Sequence, residues 1–188
     1  MGSIFSTVLA IAVGLAVGFG ALAMASGPYD GIDHAPGVAI AAADVRIAAA
    51  IEVLEHHGAH ELTDLLDDVV LMAGCHPSHT KCISGAYDSD GLAGAPAGSL
   101  WLRPDHLDGS TEVLAALLGH ELAHRADHMD GWRHGNAAAY ADEFDLPAVE
   151  VYADALLVEV CGGRCGTAYL DATVLDLDTA HRIAGGRS

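Results

Sequence analysis

The chain has 188 residues, 52% hydrophobic and 5% aromatic, with 8 basic against 26 acidic side chains and a formal net charge of −18. That length suits one domain with a substantial core and is short for two, and the hydrophobic content excludes a disordered chain. The acid excess repels phosphate backbones and anionic headgroups, so nucleic acid is not an expected partner.

No charged residue precedes Asp30, and Ile4 to Ala25 is an unbroken run of apolar and small residues. It has about the length that crosses a bilayer as a helix. Two readings stand: a signal peptide over residues 1–25, with Ala23-Met24-Ala25 as a small-x-small cleavage site, or an uncleaved anchor with Gly14 and Gly18 as a packing face. No basic flank sets its orientation, and a run apolar on every face argues against a core helix. Either reading places the rest of the chain in the cell envelope, membrane-anchored or secreted. Residues 26–37, rich in Gly, Pro and Asp, read as a linker, and 38–188 as the folded domain.

Within that domain the spacing of apolar residues predicts a helix over Val38 to Glu55, ended by His57-Gly58, and a short helix over Leu62 to Leu66. Val69 to Met72 reads as a strand. Residues 74–98 form a glycine-rich loop region with a short strand near Ile83 to Tyr87. Ser99 to Arg103 alternates polar and apolar and stops at Pro104, which predicts a half-exposed edge strand. Ser110 or Thr111 caps a helix running to about Met129. Residues 130–147 read as loop, Pro147 opens a helix over Ala148 to Val160, and a last helix covers Asp171 to Ile183.

Four cysteines fall in two close pairs, Cys75/Cys82 and Cys161/Cys165. In an exported domain they suggest two disulfides, most simply local, although four cysteines allow three connectivities. The rival is a metal site in CHPSHTKC using Cys75, His76, His79 and Cys82, but zinc sites usually space their cysteines more tightly.

The helix 111–129 contains His120-Glu121-Leu122-Ala123-His124, an HExxH. Positions i and i+4 lie about 40° apart around a helix, so both imidazoles face one ion, while the glutamate is offset beside it. Zinc acidifies a bound water and the neighbouring carboxylate takes its proton, which is the chemistry amide hydrolysis needs. With twelve histidines in the chain, the rival is a chance match.

A catalytic zinc needs a third protein ligand. Asp127 and Asp130 stand where a glycine-turn histidine pattern would need Gly and His, and His128 lies a full turn further along the helix. The apolar helix AVEVYADALLVEV holds Glu150 and Asp154 four apart on one face. Buried carboxylates need partners. Glu150 is therefore the expected third ligand, and Asp154 the acceptor that orients a liganding imidazole. The competing reading pairs both with Arg or Tyr side chains in the core. Asp142, Glu143 and Asp145 are lesser ligand candidates. Tyr140, His134, Tyr152 and the His181-Arg182 pair are possible stabilisers of a developing oxyanion.

HELAH followed 26 positions later by EVYAD resembles the gluzincin metallopeptidases, and most nearly their membrane-associated subgroup that includes the CAAX prenyl proteases. The likeness spans about Leu100 to Val160. It implies an α+β, zincin-like fold, mostly helical, with a small mixed sheet whose edge strand, SLWLRP, precedes the HExxH helix and pairs with extended substrate. It also implies a zinc endopeptidase with one zinc per chain on His120, His124 and Glu150, Glu121 as base, and a peptide or protein as partner. Membrane contact would come through residues 4–25 if uncleaved. The alternative is a non-catalytic envelope module stabilised by zinc, which would need a fourth protein ligand.

Overall fold

A computed structural model of the chain describes residues 37–170 and 175–185. The apolar segment 4–25 and all but the last residue of the linker lie outside the described residues. The described fold is α+β, mostly helical with a small mixed sheet.

Val38–Ala39 forms β1, pairing antiparallel with Ala73 and Met72, and helix α1 spans Val45–His56. The helix predicted from Val38 therefore starts seven residues late. Asp44 is the reason: its carboxylate accepts the Arg46 N–H at 3.0 Å and caps the helix there. Ile47, Ala50 and Leu54, at helical spacing, are fully buried. A short helix α2, His60–Thr63, runs into a 3₁₀ turn over Asp64–Asp68, bracketing the predicted short helix.

Strands β2 (Val70–Ala73), β3 (Gly85–Asp88) and β4 (Ser99–Leu102) complete a sheet of order β1-β2-β4-β3, with β4 parallel to β2 and antiparallel to β3. This corrects the expected edge strand: β4 is interior, and its four residues are all buried. The alternation misled because Ser99, the polar residue, is not solvated. It accepts the indole N–H of Trp101 at 2.8 Å inside the core. The edge next to the HExxH helix is β3.

Helix α3, Pro104–Leu107, leads to α4, Thr111–Met129, capped by the Ser110 hydroxyl. The predicted loop 130–147 contains a 3₁₀ turn, His134–Ala137, and a helix α5, Ala138–Phe144. Buried Asp127 organises that turn by accepting the N–H groups of Arg133 and His134, a tertiary anchor that glycine content alone conceals. Helix α6 spans Ala148–Val160. Helix α7 spans Leu177–Ala184, capped by Asp176, so it begins after the predicted Asp171; residues 171–174 lie outside the described residues.

Helix α4 is the axis of the core, packing on α1, α6 and β3. Gly119 makes that approach close: a Cβ there would stand 2.6 Å from Leu157 of α6 and 3.0 Å from Leu54 of α1. Both cysteine pairs are local disulfides, Cys75–Cys82 and Cys161–Cys165. Among the described residues no helix is long and apolar enough to cross a membrane.

Candidate metal centre

Midway along α4, His120 is fully buried and His124 lies one turn on. Glu150 reaches them from the first turn of α6. Its Oε2 is 2.9 Å from His120 Nε2 and 3.4 Å from His124 Nε2, and the two ring nitrogens are 3.0 Å apart. Donors at about 2.0–2.1 Å from one tetrahedral ion lie about 3.3 Å from one another. The observed separations fit that requirement, so His120, His124 and Glu150 could hold a metal ion.

Behind this group, Asp154 is completely buried and lies 2.8 Å from His120 Nδ1. It also accepts the backbone N–H groups of Ala168, Tyr169 and Leu170 at 2.9, 3.0 and 2.8 Å. These bonds hold the imidazole with Nε2 turned toward the Glu150 carboxylate. In the metal-free chain burial works against a charged His120, but the Asp154 and Glu150 hydrogen bonds overcome it and push its pKa up to about 10. Burial likewise opposes charge on Glu150, yet the bonds from His120 and His124 hold its carboxyl far below the usual range.

Glu121 is 1% exposed, and its Oε2 has no hydrogen-bond partner. Burial raises its pKa, with the nearby His124 and His120 pulling the other way. Gly85 of β3 sits directly over this side chain: a Cβ at Gly85 would collide with the Glu121 carboxylate, 2.8 Å from its Cδ. The bare glycine leaves the carboxylate its place.

The Ser84 and Asp88 carbonyls accept from Arg103 and Gly98 of the β4 side at 3.0 and 2.8 Å. Backbone groups alternate in direction along an antiparallel strand, so Gly85 and Tyr87 present theirs to the other side. There, among the described residues, no strand pairs with β3.

Tyr169 is the site residue that spacing missed. Its ring stands edge-on to His120 with centroids 4.8 Å apart. Burial, then the carboxylates of Glu121, Glu150 and Asp154, push its phenol well above the ordinary tyrosine range. The one signal is the Cys161/Cys165 pair with Gly162 and Gly163, which turns the chain back over α6.

The other named residues lie elsewhere. Tyr140 stacks on Phe144, His134 pairs with Asp127, His181 with Glu159, and Tyr152 is buried in the core. His128 contacts Tyr87 and Trp132, and Asp142, Glu143 and Asp145 are exposed at α5. In CHPSHTKC the two cysteines are bonded to each other and His76 is bonded to Asp88, so that metal reading does not hold.

Comparison of the chain with protein-family models, with curated proteins and with solved structures found no match.

Proposed function

We propose that this chain is a zinc-dependent endopeptidase of gluzincin type, exported or membrane-anchored. The observation that carries the reading is the convergence of His120, His124 and Glu150 beside a buried carboxylate with one unpartnered oxygen. Zinc suits two imidazoles and a carboxylate, and when bound it supplies Lewis acidity that activates water and polarises a carbonyl.

The rest of the chemistry belongs to the chain. Glu121 Oε2 takes a proton from the attacking water and returns it to the leaving amine. Asp154 keeps His120 in the tautomer that leaves Nε2 free to bind. The outer edge of β3 offers the Gly85 and Tyr87 peptide groups to an extended substrate, so that its scissile bond lies over Glu121. Two disulfides suit an oxidising compartment. The non-catalytic alternative needs a closed shell of four protein ligands, and the group found among the described residues has three.

Elemental analysis is expected to give one zinc per chain. Glu121→Gln is expected to keep that zinc and lose peptide cleavage by at least about 10²-fold. Undiminished turnover in the variant, or a purified chain that takes up no zinc, overturns the assignment.

A further inference from the structure

A groove of about 690 Å³ over the end of α1 includes none of the metal-centre side chains. A smaller cavity of about 330 Å³ does adjoin the centre. Its floor is Ala116 and Leu117 on α4, with the exposed Val113 at its rim. These precede His120, Glu121 and His124 at helical spacing, so cavity and centre share one face of α4. One wall is Ser84, the residue before the Gly85 that covers Glu121. The opposite wall includes Ala168, whose N–H is held by Asp154 and whose neighbour Tyr169 abuts His120. Ser84, Ala116, Leu117 and Ala168 thus each lie within one residue or one helical turn of a side chain or glycine at the centre.

Its chemistry is uneven. The floor is apolar, while Glu112, an exposed carboxylate, stands on the rim. The lining holds one imidazole, His106, and no Lys or Arg, and the chain as a whole carries −18. A long side chain with an aliphatic stem and a cationic tip satisfies both parts: the stem covers Ala116 and Leu117 and the tip meets Glu112. We propose that this cavity is a specificity subsite for a lysine or arginine side chain of the peptide substrate. The proposal rests on the peptidase reading, which decides only what happens to the peptide once it is bound.

Binding separates the two. The zinc-loaded full chain carrying Glu121→Gln is titrated with fluorescein-labelled decapeptides that differ at one position, Lys, Arg, Leu or Glu. The Lys and Arg peptides are expected to bind about three- to fivefold more tightly than the Leu peptide. Adding Glu112→Gln should erase that preference. Asp67→Asn, which removes an equal charge outside the cavity, should preserve it, and Ala116→Leu should weaken the Lys, Arg and Leu peptides together by filling the floor. Equal binding of Lys and Leu peptides, or a basic preference that survives Glu112→Gln, overturns the subsite. If the preferences hold while the unmutated protein cleaves none of the peptides, the subsite stands and the peptidase assignment fails.

Discussion

Asp154 ties His120 to three consecutive backbone amides through one buried carboxylate. Asp154→Asn keeps the size but places a donor where acceptors are needed. Zinc affinity is expected to fall about 10–100-fold, measured by competition with a chromophoric chelator; unchanged affinity would leave Asp154 no role in orienting His120. Gly85→Ala acts from the other side. The new methyl must push the Glu121 carboxylate away, and misplacement by about 1 Å costs about 10²-fold in turnover while zinc stays bound. A variant as fast as the parent would mean Glu121 does not work from its observed position. Residue spacing was enough to single out His120, Glu121, His124, Glu150 and Asp154, because helical geometry fixes which side chains share a face. Nothing in spacing singles out Gly85 or Tyr169. Their roles arise from where a strand and a returning loop pass over α4 and α6, and that depends on tertiary contacts.

At the scale of elements, α4 and α6 were legible to within a residue or two, since each has an apolar pattern and a clear start. The boundaries that failed were decided by single polar side chains: Asp44 starts α1, Ser99 lets β4 be buried on both faces, and Asp127 winds the turn before α5. Asp44 also predicts a pH dependence. Its bonds from the Arg46 side chain and N–H hold its pKa down at about 2, against 3.8 ordinarily. A depressed carboxylate stabilises the fold above its unfolded value, and that contribution fades as pH falls from 3.8 through about 2. The difference in Tm between the parent and Asp44→Ala should therefore be constant above about pH 5 and shrink steadily as pH falls through 3.8 toward about 2. A difference that vanishes well above pH 4 would show that the cap is not made in solution.

For the whole molecule, the candidate metal centre joins two helices of the core, α4 and α6, through the His120–Glu150 contact of 2.9 Å. Zinc held by the native chain alone should stabilise it by about 4 kcal/mol at a thousandfold excess over Kd, and chelation should lower Tm by about 10 °C. An unchanged Tm would remove the metal from the structure altogether. The proposed envelope location rests on residues 4–25, whose length and apolarity are plain in the sequence.

The triple anchorage of residues 168–170 on Asp154 makes that segment a natural gauge of whether the centre is loaded. The same carboxylate that grips the loop also steadies His120, and Oδ1 serves both His120 and Ala168, so a disturbance at the ion should pass to the loop amides through Asp154. Those amides would exchange with deuterium slowly in the charged, loaded protein and faster after stripping. Occupancy could then be followed from the backbone alone, in the absence of any substrate.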